Sequence, residues 1–340
     1  MSIEYLLPSD IPQVYLAKCE ESTDPKYGFI PAQRPWEKYI DNGIVNLDKP
    51  AGPTSHEVAA WVRKILNLEK TGHGGTLDPQ VTGILPVSLG NATRVISALL
   101  TAGKEYVATM YLHHAVPEDK VRAVLRLFTD ELYQRPPIKS SVARRLRKRK
   151  IYYTEFLEMN ENHVLFRVGC EAGTYIRKLC YDLGEALLCG ANMDELRRTR
   201  TGIFREDNTL CTLQDLKDAY LIYQEEKDES YLRRLISPIE KAVAHWRKIY
   251  IRDTAVDAIA HGAHLAVAGV VNLEKDIQTG EQIALMTLKG ELVAFAEATM
   301  STSKILTSSH GICAKTNRVF MDRGVYPNWK EDPKVVVPPE

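Results

Sequence analysis

Between residues 43 and 205 the apolar positions fall mostly in short runs or alternations, with a few windows at helical spacing between them. Residues 43–55, GIVNLDKPAGPTS, predict a short apolar strand closed by a Lys-Pro-x-Gly-Pro turn. A helix follows, with Thr54 as N-cap, Glu57 completing a capping box, and Val58, Trp61, Val62, Ile65 and Leu66 as one apolar stripe. NATRVISALL predicts a second helix, and 104–113, KEYVATMYLH, a strand rich in aromatic and β-branched residues. Pro117-Glu118-Asp119 opens a helix with Val121, Val124, Leu125 and Phe128 on one face. IYYTEFLE and the alternating Val164, Phe166, Val168 and Cys170 predict two strands. Residues 174–188 predict an amphipathic helix with Ile176, Leu179, Cys180, Leu183 and Leu187 inward. A short helix is expected to end in LRRTRTG, 196–202, and Thr212 starts another with Leu213, Leu216, Tyr220 and Tyr223.

The pattern changes at both ends. Residues 1–36 are Pro-punctuated and weakly periodic, as in an arm that settles on another surface. Beyond Trp246, KIYI, LAVAGVV, QIALMTL, LVAFAEA and RVFM predict short strands between Gly, Asn and Asp turns, a β-rich module of about 80 residues. The expected divisions are an arm at 1–36, a main domain at 37–247, the β-rich module at 248–326 and a tail at 327–340.

Composition sets the class. An apolar fraction of 44% and a charged fraction of 26% are those of a globular protein, and no apolar run is long enough for a membrane span. The N-terminus lacks the pattern of a signal peptide, and the six cysteines show no CxxC or paired Cys/His spacing, so reduced thiols in an intracellular protein are expected. The net charge is zero but polarised. Residues 135–154 carry Arg135, Lys139, Arg144, Arg145, Arg147, Lys148, Arg149 and Lys150 without an acid. By contrast, residues 206–231 hold eight acids against Lys217 and Lys227. A run of this kind is a solvated loop, a localisation signal or a clamp for phosphates.

Several chemistries are absent. GHGGTLDP lacks the third glycine of a dinucleotide fingerprint, there is no GxxxxGK[ST] or GxSxG, and His56-Glu57 has no second histidine of a zinc-protease helix. The remaining candidate is a carboxylate without a cofactor. In residues 71–83, TGHGGTLDPQVTG, Pro79 drives Asp78 into extended backbone, and Gly72, Gly74 and Gly75 permit tight bends or close approach. On its own residues this stretch is an ordinary Asp-Pro turn. Arg177 sits in the first turn of the expected 174–188 helix, where the macrodipole disfavours a cation. It reads either as a solvated side chain or as the partner of a buried carboxylate, which it would hold ionised.

GHGGTLDP, KEY, GTYIRKL and LRRTRTG stand in the order and spacing of the TruB-type pseudouridine synthases, which residues 35–205 resemble. NLDKPAGPTS resembles that family's first motif, and the β-rich module resembles a PUA domain. The arm, the RPPIKSSVARRLRKRK segment and the compact ending resemble the archaeal dyskerin-like branch, catalytic subunits of box H/ACA guide-RNA particles.

The resemblance implies an α+β fold: a central mixed, mainly antiparallel sheet flanked by helices, with a small β-barrel-like PUA domain on which the arm packs. It implies that Asp78 is the catalytic aspartate, leaving open whether it attacks the sugar, adds to the base or removes a sugar proton. Tyr106 stacks on the target base and assists proton removal, or is a strand aromatic in a core. Arg177 pairs with Asp78, Tyr175 and Leu196 wall the pocket, and Lys49 and Pro50 support its floor. His73 lies near the flipped nucleotide without acid–base duty. Arg144, Arg145, Arg147 and Lys148 belong to a mobile thumb that closes on RNA phosphates. The implied partners are an H/ACA guide RNA, substrate rRNA, tRNA as a second substrate, and small particle proteins, in the cytoplasm and without a cofactor or membrane. A stand-alone tRNA enzyme and a non-catalytic RNA scaffold are the competing readings.

Overall fold

The computed structural model describes residues 5–136 and 143–328. Packing divides them into two units: one formed by residues up to Ile11 with Gly43–Ser237, the other by Pro12–Asn42 with the chain from Pro238 onward. This packing division falls at 11, 42 and 237.

In the first unit an eleven-stranded sheet runs in the order Leu210–Cys211, Gly43–Lys49, Thr82–Leu89, Ala191–Thr201, Lys104–Leu112, His163–Cys170, Arg147–Asn160, Asp130–Gln134, with three short strands joined at its side. Most pairings are antiparallel; Thr82–Leu89 with Ala191–Thr201 and Leu210–Cys211 with Gly43–Lys49 are parallel. One core forms where Met110, Leu112, Val164, Phe166 and Val168 meet Val121 and Leu125 of the Glu118–Leu127 helix and Ile176, Leu179 and Leu183 of Ile176–Leu187. The alternating positions read from the sequence supply these contacts. Five of the six cysteines are buried, Cys19 being intermediate.

Thr54 caps the Ser55–Ile65 helix reciprocally with Glu57, as expected, and Val58 and Val62 are fully buried. Trp61 is not part of that inward stripe; it is exposed. The short helix expected to end at 196–202 is instead the strand Ala191–Thr201. It is a central strand whose register with Lys104–Leu112 outweighs the local preference of a polar segment. The cationic segment is also more ordered than a loop: Arg147–Lys150 begin a strand paired with Asp130–Gln134. Lys139 and Pro137 lie outside the described residues.

The second unit holds a seven-stranded sheet over a core that includes Ile249, Leu273, Ile283, Leu285, Val293 and Ile305. The arm enters this sheet as an edge strand, Tyr15–Ala17 paired with Val270–Glu274, and Arg34 grips Glu240 through two bonds of 2.9 and 2.6 Å. No helix among the described residues is long and apolar enough to cross a membrane.

Candidate active site

Asp78 is held through its backbone. Ser55, at the start of a helix, accepts from the Leu77 N–H at 2.9 Å and donates to the Leu77 carbonyl at 3.1 Å. The fully buried Lys49 ammonium donates to the carbonyls of Pro50, Pro79 and Val81 at 2.8, 2.9 and 3.0 Å. Gly52 N–H adds a bond to Pro79 O at 2.9 Å, and Val81 N–H donates to Asp78 O at 3.0 Å. Every peptide unit flanking the aspartate is therefore pinned while its side chain stays outside, 57% exposed. Burial, and then the Arg198 charge, push the Lys49 ammonium pKa down, with Asp78 opposing. The three carbonyls are what favour the charged form there.

Arg177 lies in the first turn of the Ile176–Leu187 helix and its guanidinium bonds the Asp78 carboxylate. That pairing joins the two candidates from the sequence, with one difference. The aspartate is not buried, and the arginine is 53% exposed, so the pair stands open to water, where such pairs contribute little. The helix start is fixed by Gln134, which accepts from Tyr175 N–H at 2.9 Å and donates to Tyr175 O at 3.1 Å.

Tyr106, Leu196 and Arg198 sit side by side on neighbouring strands, Tyr106 opposite Arg198 and Ala108 opposite Leu196. Tyr106 and Leu196 pack on the rim of the main core. Burial raises the Tyr106 phenol pKa against the opposing Arg198 charge, so the neutral phenol prevails at neutral pH. In the sequence Arg198 looks like one surface cation among Arg197, Arg198 and Arg200. It is 1% exposed and donates to Ile84 O at 2.7 Å and Gly75 O at 3.0 Å. Gly83, at φ +99°, has no room for a side chain because the Arg198 backbone lies where a Cβ would go. The glycines of the loop serve close packing as well: Gly72 and Gly74 lie against Ile96 and Leu99 of the Ile96–Thr101 helix, not toward open space.

His73 lies in a short edge strand, Thr71–His73, in a stretch expected to be loop. Its ring meets His56 edge-on at 4.7 Å, and its Nδ1 is buried without a hydrogen-bond partner. Burial, helped by His56 and Arg198, pushes its pKa down to about 4. Since the unfolded chain binds this proton more tightly, stability should fall as pH drops from about 6.5 toward 4. His73→Gln is expected to flatten that part of a stability-versus-pH curve, and an unchanged curve would remove His73 as its source.

Lys104 Nζ donates to the carbonyls of Leu99, Leu100 and Ala102 at 3.0, 3.0 and 2.7 Å, closing the end of the 96–101 helix; burial pushes its pKa down to about 7. Of the cationic segment, Arg144 Nε donates to Pro136 O at 3.2 Å and Lys148 pairs with Glu131 at 2.6 Å, so an acid from the adjoining strand lies among the cations. Arg144, Arg145 and Lys148 are exposed and Arg147 is half-buried. A pocket of about 70 Å³ lies between Arg147, Arg149, Gln134, Gly173 and Tyr175.

The chain belongs to the TruB family of pseudouridylate synthases, which are RNA isomerases. Residues 63–176 match the TruB family pseudouridylate synthase N-terminal domain and 177–244 the tRNA pseudouridylate synthase B C-terminal domain. Residues 247–320 match the PUA domain and 8–59 the DKCLD domain. The chain is 57% identical to the "Probable tRNA pseudouridine synthase B" of Thermococcus kodakarensis, over 97% of this chain and 98% of that protein. To its Methanosarcina barkeri namesake it is 55% identical, over 94% and 95%. Among solved structures it is similar to a chain of a Cbf5-Nop10-Gar1 complex, at 55% identity and TM-score 0.92, covering 95% of this chain and 98% of that one. It is also similar to a chain of an H/ACA RNP bound to a substrate RNA containing 2'-deoxyuridine, at 53% identity and TM-score 0.90, covering 95% and 99%.

Proposed function

We propose that this protein isomerises uridine to pseudouridine in RNA as the catalytic subunit of an H/ACA guide-RNA particle, with Asp78 as the catalytic carboxylate. The observation that carries this is the Asp78–Arg177 pair, presented by a backbone clamp in a chain that matches a protein of the H/ACA particle along almost its whole length. Ribosomal RNA in the cytoplasm is the proposed target, and small particle proteins are the proposed partners.

A uridine reaches Asp78 only after leaving its stack, at a cost of a few kcal/mol, roughly. Stacking on Tyr106, worth about 1–3 kcal/mol, offsets much of that. The neutral phenol suits stacking and positioning better than it suits carrying a phenolate. Leu196 and Tyr175 close the walls, while Lys49 and Pro50 hold the floor. The arriving base displaces water from the exposed Asp78–Arg177 pair, and the same pair then interacts more strongly in the drier pocket. Arg177 thereby keeps Asp78 aimed at the nucleoside.

Tritium release from RNA labelled at uridine C5, with and without a guide RNA and partner proteins, tests the proposal. Turnover only with the guide supports it. Guide-free turnover on the tRNA T-arm would favour the stand-alone enzyme, a reading that the names of the Thermococcus and Methanosarcina relatives support. No turnover in either would favour a scaffold.

We assign Arg144, Arg145, Arg147 and Lys148 to the RNA backbone, since phosphates can replace the weak exposed partner of Lys148. Neutralising all four is expected to weaken RNA binding and to make log K less steep against log salt. An unchanged slope would show that these cations do not release counterions on binding.

A further inference from the structure

The Lys104–Leu112 strand carries a buried carboxylate, Glu105, that the catalytic proposal leaves unused. Its two oxygens reach in opposite directions across the sheet. Oε1 accepts from the Thr199 hydroxyl at 2.7 Å on one neighbouring strand. Oε2 accepts from the Tyr153 hydroxyl, which crosses the intervening strand at Gly169, where any side chain would collide with the tyrosine ring. One carboxylate thus spans four adjacent strands: Arg147–Asn160, His163–Cys170, Lys104–Leu112 and Ala191–Thr201.

Both of its partners mark irregular register. Glu105 pairs with Arg200 and Tyr106 with Arg198, so Thr199 is an extra residue. Ile151 pairs with Cys170 and Tyr153 with Gly169, so Tyr152 is another. Bulges re-aim the side chains beside them, and the Thr199 bulge lies next to Tyr106 and Arg198, while the Tyr152 bulge turns Tyr153 toward Glu105. Without the Thr199 bulge, the residues beyond it would shift by one and turn to the opposite face. The outer side of the network is sealed by the chain's start. Leu7 is fully buried, Tyr5 packs on the Tyr153 ring with centroids 5.2 Å apart, and Asp10 pairs with Arg200, each side chain of that pair 12% exposed.

We propose that Glu105 is a positioning residue for the isomerisation: by tying Thr199 to Tyr153 it fixes the bulged register that sets Tyr106 and Arg198 under the target base, with residues 5–11 closing the network from water. This rests on the function proposed above. Glu105 touches no substrate; it acts through Tyr106 and through the Arg198 bonds to Gly75 and Ile84.

The test compares wild type, Glu105→Gln and Tyr153→Phe in the assembled particle, by single-turnover pseudouridine formation, RNA affinity and thermal unfolding. Glutamine keeps the volume of Glu105 but cannot accept both hydrogen bonds on equivalent oxygens, and phenylalanine keeps the ring over Gly169. Each variant is expected to lose between roughly 10- and 100-fold in single-turnover rate, the loss typical of a small misplacement in an active site. RNA affinity and midpoint temperature should stay near wild type, and the double variant should lose no more than the worse single one. Rates equal to wild type, or losses that vanish once rates are compared at equal fractions folded, would overturn the proposal. An inactive wild-type particle would instead count against the function itself.

Discussion

Asp78→Asn protein is expected to bind its target RNA with affinity within about two-fold of wild type and to form no measurable pseudouridine, a loss beyond roughly 10⁴-fold. Binding should persist because the loop is held by Lys49, Ser55 and Gly52 through backbone atoms, none of which the substitution removes. The side chain itself is exposed and contributes little to the fold, so folding should be unaffected. Asparagine still accepts from Arg177 but carries no charge and is a poor nucleophile or base. Quench-flow tritium release with saturating particle measures the rate, and filter binding the affinity. Turnover within ten-fold of wild type would take Asp78 out of the chemistry, roughly 1.4 kcal/mol being too small for the loss of the reacting group.

Lys49→Met should be nearly as damaging by another route. The ammonium is fully buried and serves three carbonyls, at Pro50, Pro79 and Val81. Methionine fills most of the space but leaves buried acceptors unpaired, at about 1–3 kcal/mol for each that water cannot reach. A loss of about 3 kcal/mol in denaturant unfolding is therefore expected. Turnover should fall further than the folded fraction does, because Pro79 and Val81 follow directly on the aspartate and their release lets it wander. Wild-type stability in the variant would mean that the carbonyls find other donors and that the clamp is not what holds the loop.

Local signals in the sequence were reliable where a residue's neighbours in the chain decide its fate. The Thr54–Glu57 capping box and the alternation from Val164 to Cys170 are such cases, and both stand as expected. Trp61 failed because helical spacing marks a stripe without saying where its edge meets solvent. The 191–201 strand failed because LRRTRT has no apolar period; its place is set by two strands far away in the chain. For the same reason Arg198 was overlooked. Three arginines in four positions look alike until one is enclosed between Gly83 and Tyr106. The Asp78–Arg177 pair was legible through the odd placing of a cation in a helix's first turn, but its openness to water was not. The Lys49 clamp was only half visible. A lysine before a Pro-Gly-Pro turn suggests support, while its three carbonyl targets depend on a strand pairing that brings Lys49 opposite Gly83.

The place of the Ala191–Thr201 strand also bears on how the protein is born. It lies between Thr82–Leu89 and Lys104–Leu112, both made long before it during synthesis. Until residue 201 has left the ribosome, those two strands have nothing between them and expose facing edges, the kind of surface that recruits other chains. Arg198 arrives with the inserting strand, so its bonds to Gly75 and Ile84, on either side of Asp78 in the chain, are made by one of the last pieces of the sheet to be synthesised. Nascent chains should therefore be most prone to aggregation when arrested just short of this strand, and none arrested there can have a finished site.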